Sequence, residues 1–321
     1  MPQCKDKEDQ GPGITSRLRN AFPPKPTFTE ADVPDQSNKV FMVTGGSGGL
    51  GKELAKMLYE KNAKVYIAAR SEDKSTSTIA EIKALHPHSR GQLVFLRLDL
   101  NDLSTIERSA QEFLSKENRL DVLWNNAGVM TPPQGSKTAQ GYELQLGVNA
   151  LAPFLFTHFL RPALAAAGSA RVIWVASSAA FFAPTPAIDF NNMDYAKDES
   201  PMDKYARSKA GTILLATEFA RRNAADGIFS ISLDPGISLT DLQRTFTGFQ
   251  KLVARIIAQE PKNCAYTELF AGLSPDVTEK NSGGWIVPFG RLEKGRADIW
   301  DEKLAKKYWE WTMGELRPYL A

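Results

Sequence analysis

The sequence predicts an α/β fold built on one doubly wound parallel sheet, and three observations predict it. Short, continuously apolar runs alternate with stretches of helical period. A glycine cluster follows directly on the first such run. Across 321 residues there is no internal repeat and no second composition regime, so a single domain is expected.

Residues 1–38 come first. They hold six prolines, mixed charge and little periodicity. This reads as an extended arm packed through Phe22 and Phe28, or, over its first twenty residues, as a disordered tail. The domain proper is expected over residues 39–291. Val40–Val43 is the first strand, and Leu50, Leu54, Met57 and Leu58 recur at helical spacing after it. Further strands are predicted at Lys64–Ala69, Leu93–Leu98, Asp121–Trp124, Arg171–Ala176, Ile228–Leu233 and Trp285–Phe289, with helices between them. Residues 292–321 form a helical tail. Its Trp300, Trp309 and Trp311 cover either the sheet edge or the mouth of a substrate site.

Composition narrows the function classes. At 42% hydrophobic and 24% charged, the chain is that of a globular protein. A formal charge of +2 gives no basic footprint for nucleic acid. The two cysteines, Cys4 and Cys264, supply no disulfide framework, so a reducing, cytoplasmic setting is expected. No run reaches the ~18–20 apolar residues of a membrane helix. His158, Arg161 and two prolines break the best candidate, Ala150 to Ala167. No secretory segment opens the chain, and no membrane anchor is expected. The histidines are unaccompanied by carboxylate or cysteine sets, so no metal site is expected.

The glycine cluster carries the first functional signal. Val40–Thr44 runs into Gly45-Gly46-Ser47-Gly48-Gly49-Leu50-Gly51, which opens a helix. Strand, tight turn and helix N-terminus together suit a dinucleotide pyrophosphate on a Rossmann-type sheet. Gly45 takes the turn, Gly49 admits the phosphate and Gly51 lets helix and sheet close up. At the end of the second strand a NAD site places an acidic residue. Here the chain reads Ala68-Ala69-Arg70-Ser71, with Lys74 a turn further on. Arg70 offers a planar donor fork for a 2′-phosphate, so NADP(H) is preferred.

With its remaining motifs the chain resembles the short-chain dehydrogenase/reductase family. Thr44-Gly45 through Gly49-Leu50-Gly51, Asp99 after the third strand, Asn125-Asn126-Ala127-Gly128 and Asn149 carry the first half of the resemblance. Ser178 at the end of Ala176-Ser177-Ser178, Tyr205-Ala206-Arg207-Ser208-Lys209, and Pro235-Gly236 with Thr240 carry the second. Within the family it looks most like the retinol-dehydrogenase and WW-domain-oxidoreductase branch. The arm Phe22–Glu30 and the tail around Tyr308-Trp309-Glu310-Trp311 are similar to those of filamentous-fungal members.

The resemblance implies a catalytic set of Ser178, Tyr205, Lys209 and Asn149. It implies cofactor contacts from Gly45, Ser47, Gly49, Leu50 and Gly51, from Arg70 and Lys74, and from Asp99 and Leu100 at the adenine. Further contacts would come from Asn126, Ala127 and Gly128, from Tyr205 and Lys209, and from Pro235, Gly236, Ile237, Ser238 and Thr240. Chemically, a phenol of pKa about 10 is a poor base at neutrality, and a lysine one helical turn away favours the phenolate by ~1–3 units. Ser178 would donate to the substrate oxygen, and Asn149 would hold a water linking Lys209 to solvent.

Two of three departures bear on the substrate. Ser178 and Tyr205 stand further apart than in the shortest members, and the intervening stretch with Phe181, Phe182 and Phe190 looks like the insertion of the retinol-dehydrogenase branch. Asp234 precedes Pro235 where Asn or His is commoner, which would alter polarity near the substrate mouth. The third departure does not bear on the substrate: the hydrophobic N-terminal anchor of membrane members is not expected in this chain. Leu242, Phe246, Phe249, Leu252, Ile256 and Ile257 match either the family's mobile lid or a plain amphipathic core helix. Together these imply a bulky apolar ketone, aldehyde or alcohol.

The expected function is an NADP(H)-dependent carbonyl reductase or alcohol dehydrogenase of fungal secondary metabolism. The competing readings are an NADP(H)-binding regulator or scaffold without turnover, and a dehydratase or cyclase on the same fold. A homodimer is one expected state, pairing the helices over Tyr142–Ala166 and Tyr205–Arg222. Monomers occur among members with long tails.

Overall fold

The computed structural model describes residues 19–238 and 258–320. Strands β1 (Val40–Thr44), β2 (Lys64–Ala69), β3 (Gln92–Arg97), β4 (Val122–Asn125), β5 (Ala170–Val175), β6 (Ile228–Leu233) and β7 (Trp285–Val287) are all parallel, in the order 3-2-1-4-5-6-7. Every residue of β1, β4 and β6 is buried, as a sheet covered on both faces requires. A short β8 (Arg291–Glu293) pairs antiparallel on the edge. It escapes sequence reading because it has three residues and no apolar run. The chain reverses direction across the sheet between β1 and β4. That switch point opens a crevice beyond the strands' C-terminal ends.

The helices are α1 (Gly49–Glu60), α2 (Glu72–Leu85), α3 (Ile106–Leu114), α4 (Ala152–Ala166), α5 (Pro201–Asn223), α6 (Pro261–Leu273) and α7 (Glu302–Leu316). They divide the core in two. One face of the sheet packs against α3, α4, α5 and α7, the other against α1, α2 and α6. Trp174 and Trp285 are buried on the first face. Trp124 is buried on the second, edge-on to Phe41 at 5.5 Å.

The arm clasps the second face. Phe28 meets Phe270 edge-on at 6.0 Å, and Glu30 binds Lys262 and the Tyr266 hydroxyl, each at 2.6 Å. Phe22, expected to pack, is mostly exposed, whereas Asn20 just before it bonds Arg291 and Glu293. The tail decides an open question. Trp300 packs against Trp285 beside the last parallel strand. Trp309 instead sits on Phe154 of α4 at 4.7 Å and Phe219 of α5 at 6.2 Å, with the Arg222 guanidinium over its ring. The chain's own tail thus covers part of the α4–α5 face expected to pair in a dimer.

Candidate active site

The glycine loop is shaped by close approach. Gly45 sits at φ +70, and a Cβ at Gly51 would lie 2.5 Å from Asn126 Nδ2 and 2.8 Å from the Gly45 carbonyl oxygen. Asn126 and Ala127 bind back to this loop. The Asn126 amide donates to the Thr44 carbonyl at 2.8 Å, and the Ala127 N–H to the Thr44 hydroxyl at 2.9 Å. Helix α1 begins after Gly48 with no side-chain cap and no acidic residue in its first turn. Its first N–H groups, from Gly49, Leu50 and Gly51 onward, therefore face the crevice without a side-chain acceptor. Lys74 Nζ reaches to 3.1 Å from where a Cβ on Gly48 would stand, and Arg70 is exposed at the end of β2. Ser47 is half-buried, its carbonyl accepting from Thr78. Asp99 accepts from the Asn101 N–H, and Leu100 is buried beside it. A cradle of glycines, unpaired N–H groups and two cations fits a dinucleotide phosphate.

Ser200 caps α5, and Pro201 occupies its first turn. One turn in, Tyr205 and Lys209 point into the end of the sheet, each 5% exposed. Lys209 donates to the Val175 carbonyl at 2.8 Å and lies 5.8 Å from the Tyr205 ring centre. Burial drives the Lys209 ammonium down to about 8, against the pull of Asp234 and Glu268. Burial also pushes the Tyr205 phenol well up. The Ser177 hydroxyl beside it works the other way, while the Asp234 carboxyl adds to the rise.

That neighbour is a finding. The side chain that opposes the rise of the phenol is that of Ser177, while Ser178 holds the Asp234 carboxyl down. Ser177 is extended, with φ −170 and ψ 150, so consecutive side chains leave on opposite sides. Its oxygen accepts from the Ala179 N–H at 3.1 Å and caps the following turn. Ser178 opens the following 3-10 turn, and its hydroxyl and N–H both face the Asp234 carboxyl. Asp234, expected near the substrate mouth, is buried behind this turn and accepts the Gly236 N–H at 3.0 Å. Burial raises its carboxyl, opposed by those hydrogen bonds and by Lys209. The adjacent serines look alike in sequence. The only local clue was Ser177 as a cap two residues before Ala179.

Asn149 lies in a π-helical turn, Gly147–Leu151, leading into α4. Its side chain is engaged at both ends: the amide donates to the Val129 carbonyl at 2.9 Å and Ser208 at 3.0 Å, and the oxygen accepts the Val129 N–H at 2.8 Å. Asn149 therefore fixes the loop after β4. Gly128 in that loop comes so close that a Cβ would meet Asn149 Oδ1 at 3.0 Å and Lys209 Nζ at 3.5 Å.

Pro235, Gly236, Ile237 and Ser238 follow β6 to the site, with Gly236 at φ +91 and Ile237 exposed. Thr240 and the apolar series from Leu242 to Ile257 lie outside the described residues. The insertion is pinned by Arg207, inside the Tyr-x-x-x-Lys motif. It forms a two-pronged pair with Glu199 at 2.6 and 2.9 Å and donates to the Pro186 and Ala187 carbonyls. The insertion's aromatics separate. Phe181 is core, against Trp285 and Trp300, and Phe190 lies under Lys307, so neither is free to line a substrate pocket. Phe182 is 63% exposed.

This fold and this grouping of Ser, Tyr and Lys define a dinucleotide-dependent oxidoreductase class, and comparison with known proteins narrows it. Residues 39–189 match the short chain dehydrogenase family. The short-chain dehydrogenase/reductase pkfC of Emericella nidulans is 51% identical over 305 residues, covering 92% of this chain and 98% of that protein. A structure described as a putative uncharacterized protein from Mycobacterium paratuberculosis superposes with TM-score 0.68 at 27% identity, covering 89% of this chain and 96% of the other. The Pseudomonas aeruginosa RhlG/NADP active-site complex does so with TM-score 0.63 at 25% identity, covering 80% and 96%. The chain belongs to the short-chain dehydrogenase/reductase family. Among the described residues no helix is long and apolar enough to cross a membrane.

Proposed function

We propose that the protein is an NADP(H)-dependent reductase or dehydrogenase of a bulky, largely apolar ketone or secondary alcohol. The buried Tyr205, with Lys209 one turn behind it and its ammonium 5.8 Å from the phenol ring centre, carries this reading. In the direction of reduction, Tyr205 gives its proton to the substrate oxygen and Ser177 donates a hydrogen bond to that same oxygen as negative charge builds on it. The ammonium of Lys209 favours the phenolate that remains. When bound, the cofactor would supply or accept the hydride through its nicotinamide. Asp234 holds the Ser178 turn so that Ser177 faces the phenol. Asn149 keeps Gly128 and Val129 in place, and its oxygen, which accepts one N–H, keeps a second lone pair for the water linking Lys209 to solvent.

Arg70 and Lys74 support the phosphorylated cofactor, since no acidic residue stands at the end of β2. RhlG, a solved relative, is described with NADP. An apolar substrate is supported by exposed Phe182, Met202 and Ile237, which follow the serine pair, open the Tyr205 helix and close the Pro-Gly turn respectively. Phe181 and Phe190 no longer contribute to that argument. Purified protein given apolar ketones should oxidise NADPH faster than NADH and yield the alcohol by mass. Failure with every ketone, alongside tight NADPH binding, would favour the regulator without turnover.

A further inference from the structure

A single guanidinium reaches both ends of the insertion. Arg207 of α5 is buried, and its Nη1 donates to the carbonyls of Pro184 at 3.4 Å, Pro186 and Ala187 at 3.3 Å, just past Phe182. Its Nε and Nη2 grip the Glu199 carboxylate at 2.6 and 2.9 Å, just before Met202. One planar side chain thus closes the loop on itself. The rigid fork of an arginine holds two chain segments at a fixed separation, which a flexible point charge does not. A buried ion pair adds little stability over apolar packing, so geometry is what this one supplies.

What this clasp fixes lies at the site. Phe182 closes the 3-10 turn that Ser178 opens, and Met202 stands on α5 one turn before Tyr205. Both are exposed apolar side chains. The loop after β4 joins the same point. Gln134 Nε2 donates to the Glu199 carbonyl at 2.9 Å, and buried Gln145 bridges the Thr131 N–H and the Pro201 carbonyl, each at 2.9 Å. The catalytic side chains are held separately. Two residues turn a helix by about 200°, so Arg207 leaves α5 on the side away from Tyr205 and Lys209. Lys209 is tied to the Val175 carbonyl, and Ser208 to Asn149.

We propose that Arg207 is a positioning residue that sets the width of the substrate mouth. Holding both ends of the insertion, it fixes Phe182 relative to Met202 and so selects carbonyl substrates by bulk. This rests on the reductase reading and deepens it. With the clasp closed, the two apolar side chains keep one spacing, and a bulky apolar ketone packs against both. With it open, the two ends of the insertion move independently, and that packing is lost while the proton-transfer groups keep their places. A small ketone, which does not span the two, is indifferent to the clasp.

The test compares Glu199→Gln and Arg207→Lys with wild type, at saturating NADPH, on a bicyclic ketone such as tetralone and on butanone. Glu199→Gln keeps the shape and removes the charge; Arg207→Lys keeps the charge and removes the fork. Either variant suffices should the other fold poorly. KM for tetralone should rise about tenfold in each, while kcat for both ketones and KM for butanone stay within about twofold. The double variant should lose no more than the single ones, because both act through one pair. Equal rises in KM for the two ketones, a fall in kcat alone, additive losses in the double variant, or a lowered melting temperature with the tetralone-to-butanone ratio unchanged overturns the proposal. Wild type that turns over no ketone defeats the reductase reading instead. Equilibrium titration of the two ketones into the NADPH complex then decides the clasp, since the preference for tetralone should again fall about tenfold in the variants and an unchanged preference refutes it.

Discussion

The two halves of the sheet use charge in opposite ways. Around β1, α1 and β2 the cations are exposed: Arg70 and Lys74 lie in solvent beside a loop whose selectivity comes from backbone and from the close contacts of Gly51. Around β5, α5, β6 and α6 the titratable groups are buried, and Tyr205, Lys209, Asp234 and Glu268 all move away from their ordinary ranges. In water such charges would be screened, so the first half can bind and discriminate only through direct contacts. In the second half, burial turns small displacements into changes of protonation state. On the proposed reading, one half would hold an anion and the other would prepare a proton transfer.

Tyr205→Phe should break the second half alone. Turnover should fall by at least about 10³-fold while NADPH affinity, read by fluorescence titration, stays within twofold or so. Unchanged turnover would remove Tyr205 from the chemistry. The serines sharpen the same half. Ser177→Ala should cost roughly 10²–10³ in kcat, as loss of a donor to a developing oxyanion does. Ser178→Ala should cost less, since its hydroxyl serves Asp234. The reverse ranking would return the donor role to Ser178. Trp309→Ala lies outside both halves. It should lower unfolding free energy by about 2–3 kcal/mol in urea titrations, through lost contact with Phe154, Phe219 and Arg222, with kcat retained. Smallest is Arg70→Ala, which should weaken NADPH about tenfold and leave NADH unchanged. Equal losses would show that Arg70 does not read the 2′-phosphate.

Much of the fold was legible because its signals are local. Ile228–Leu233 matches β6 and Lys64–Ala69 matches β2 residue for residue, because burial on both faces leaves runs that are mostly apolar, broken only by Ser230, Ser232 and the leading Lys64. The glycine loop was legible because only glycine fits a position like Gly51. The site was less so. Tyr205 and Lys209 were found by spacing on one helix, a local relation. Which serine faces the phenol depends on the backbone angle at Ser177, and the burial of Asp234 depends on a turn from another strand.

The sequence by itself therefore determined the order of strands and helices, the cradle after β1 and the Tyr205–Lys209 pair, because each is set within a few residues of chain. Tertiary structure decided the rest. It sent Phe181 into the core and Phe182 into solvent, and laid Trp309 across α4 and α5. It also buried Glu268 on one face of the sheet and Lys209 on the other. These contacts join residues far apart in sequence, and burial, which shifts their protonation, exists only once the whole sheet has closed around them.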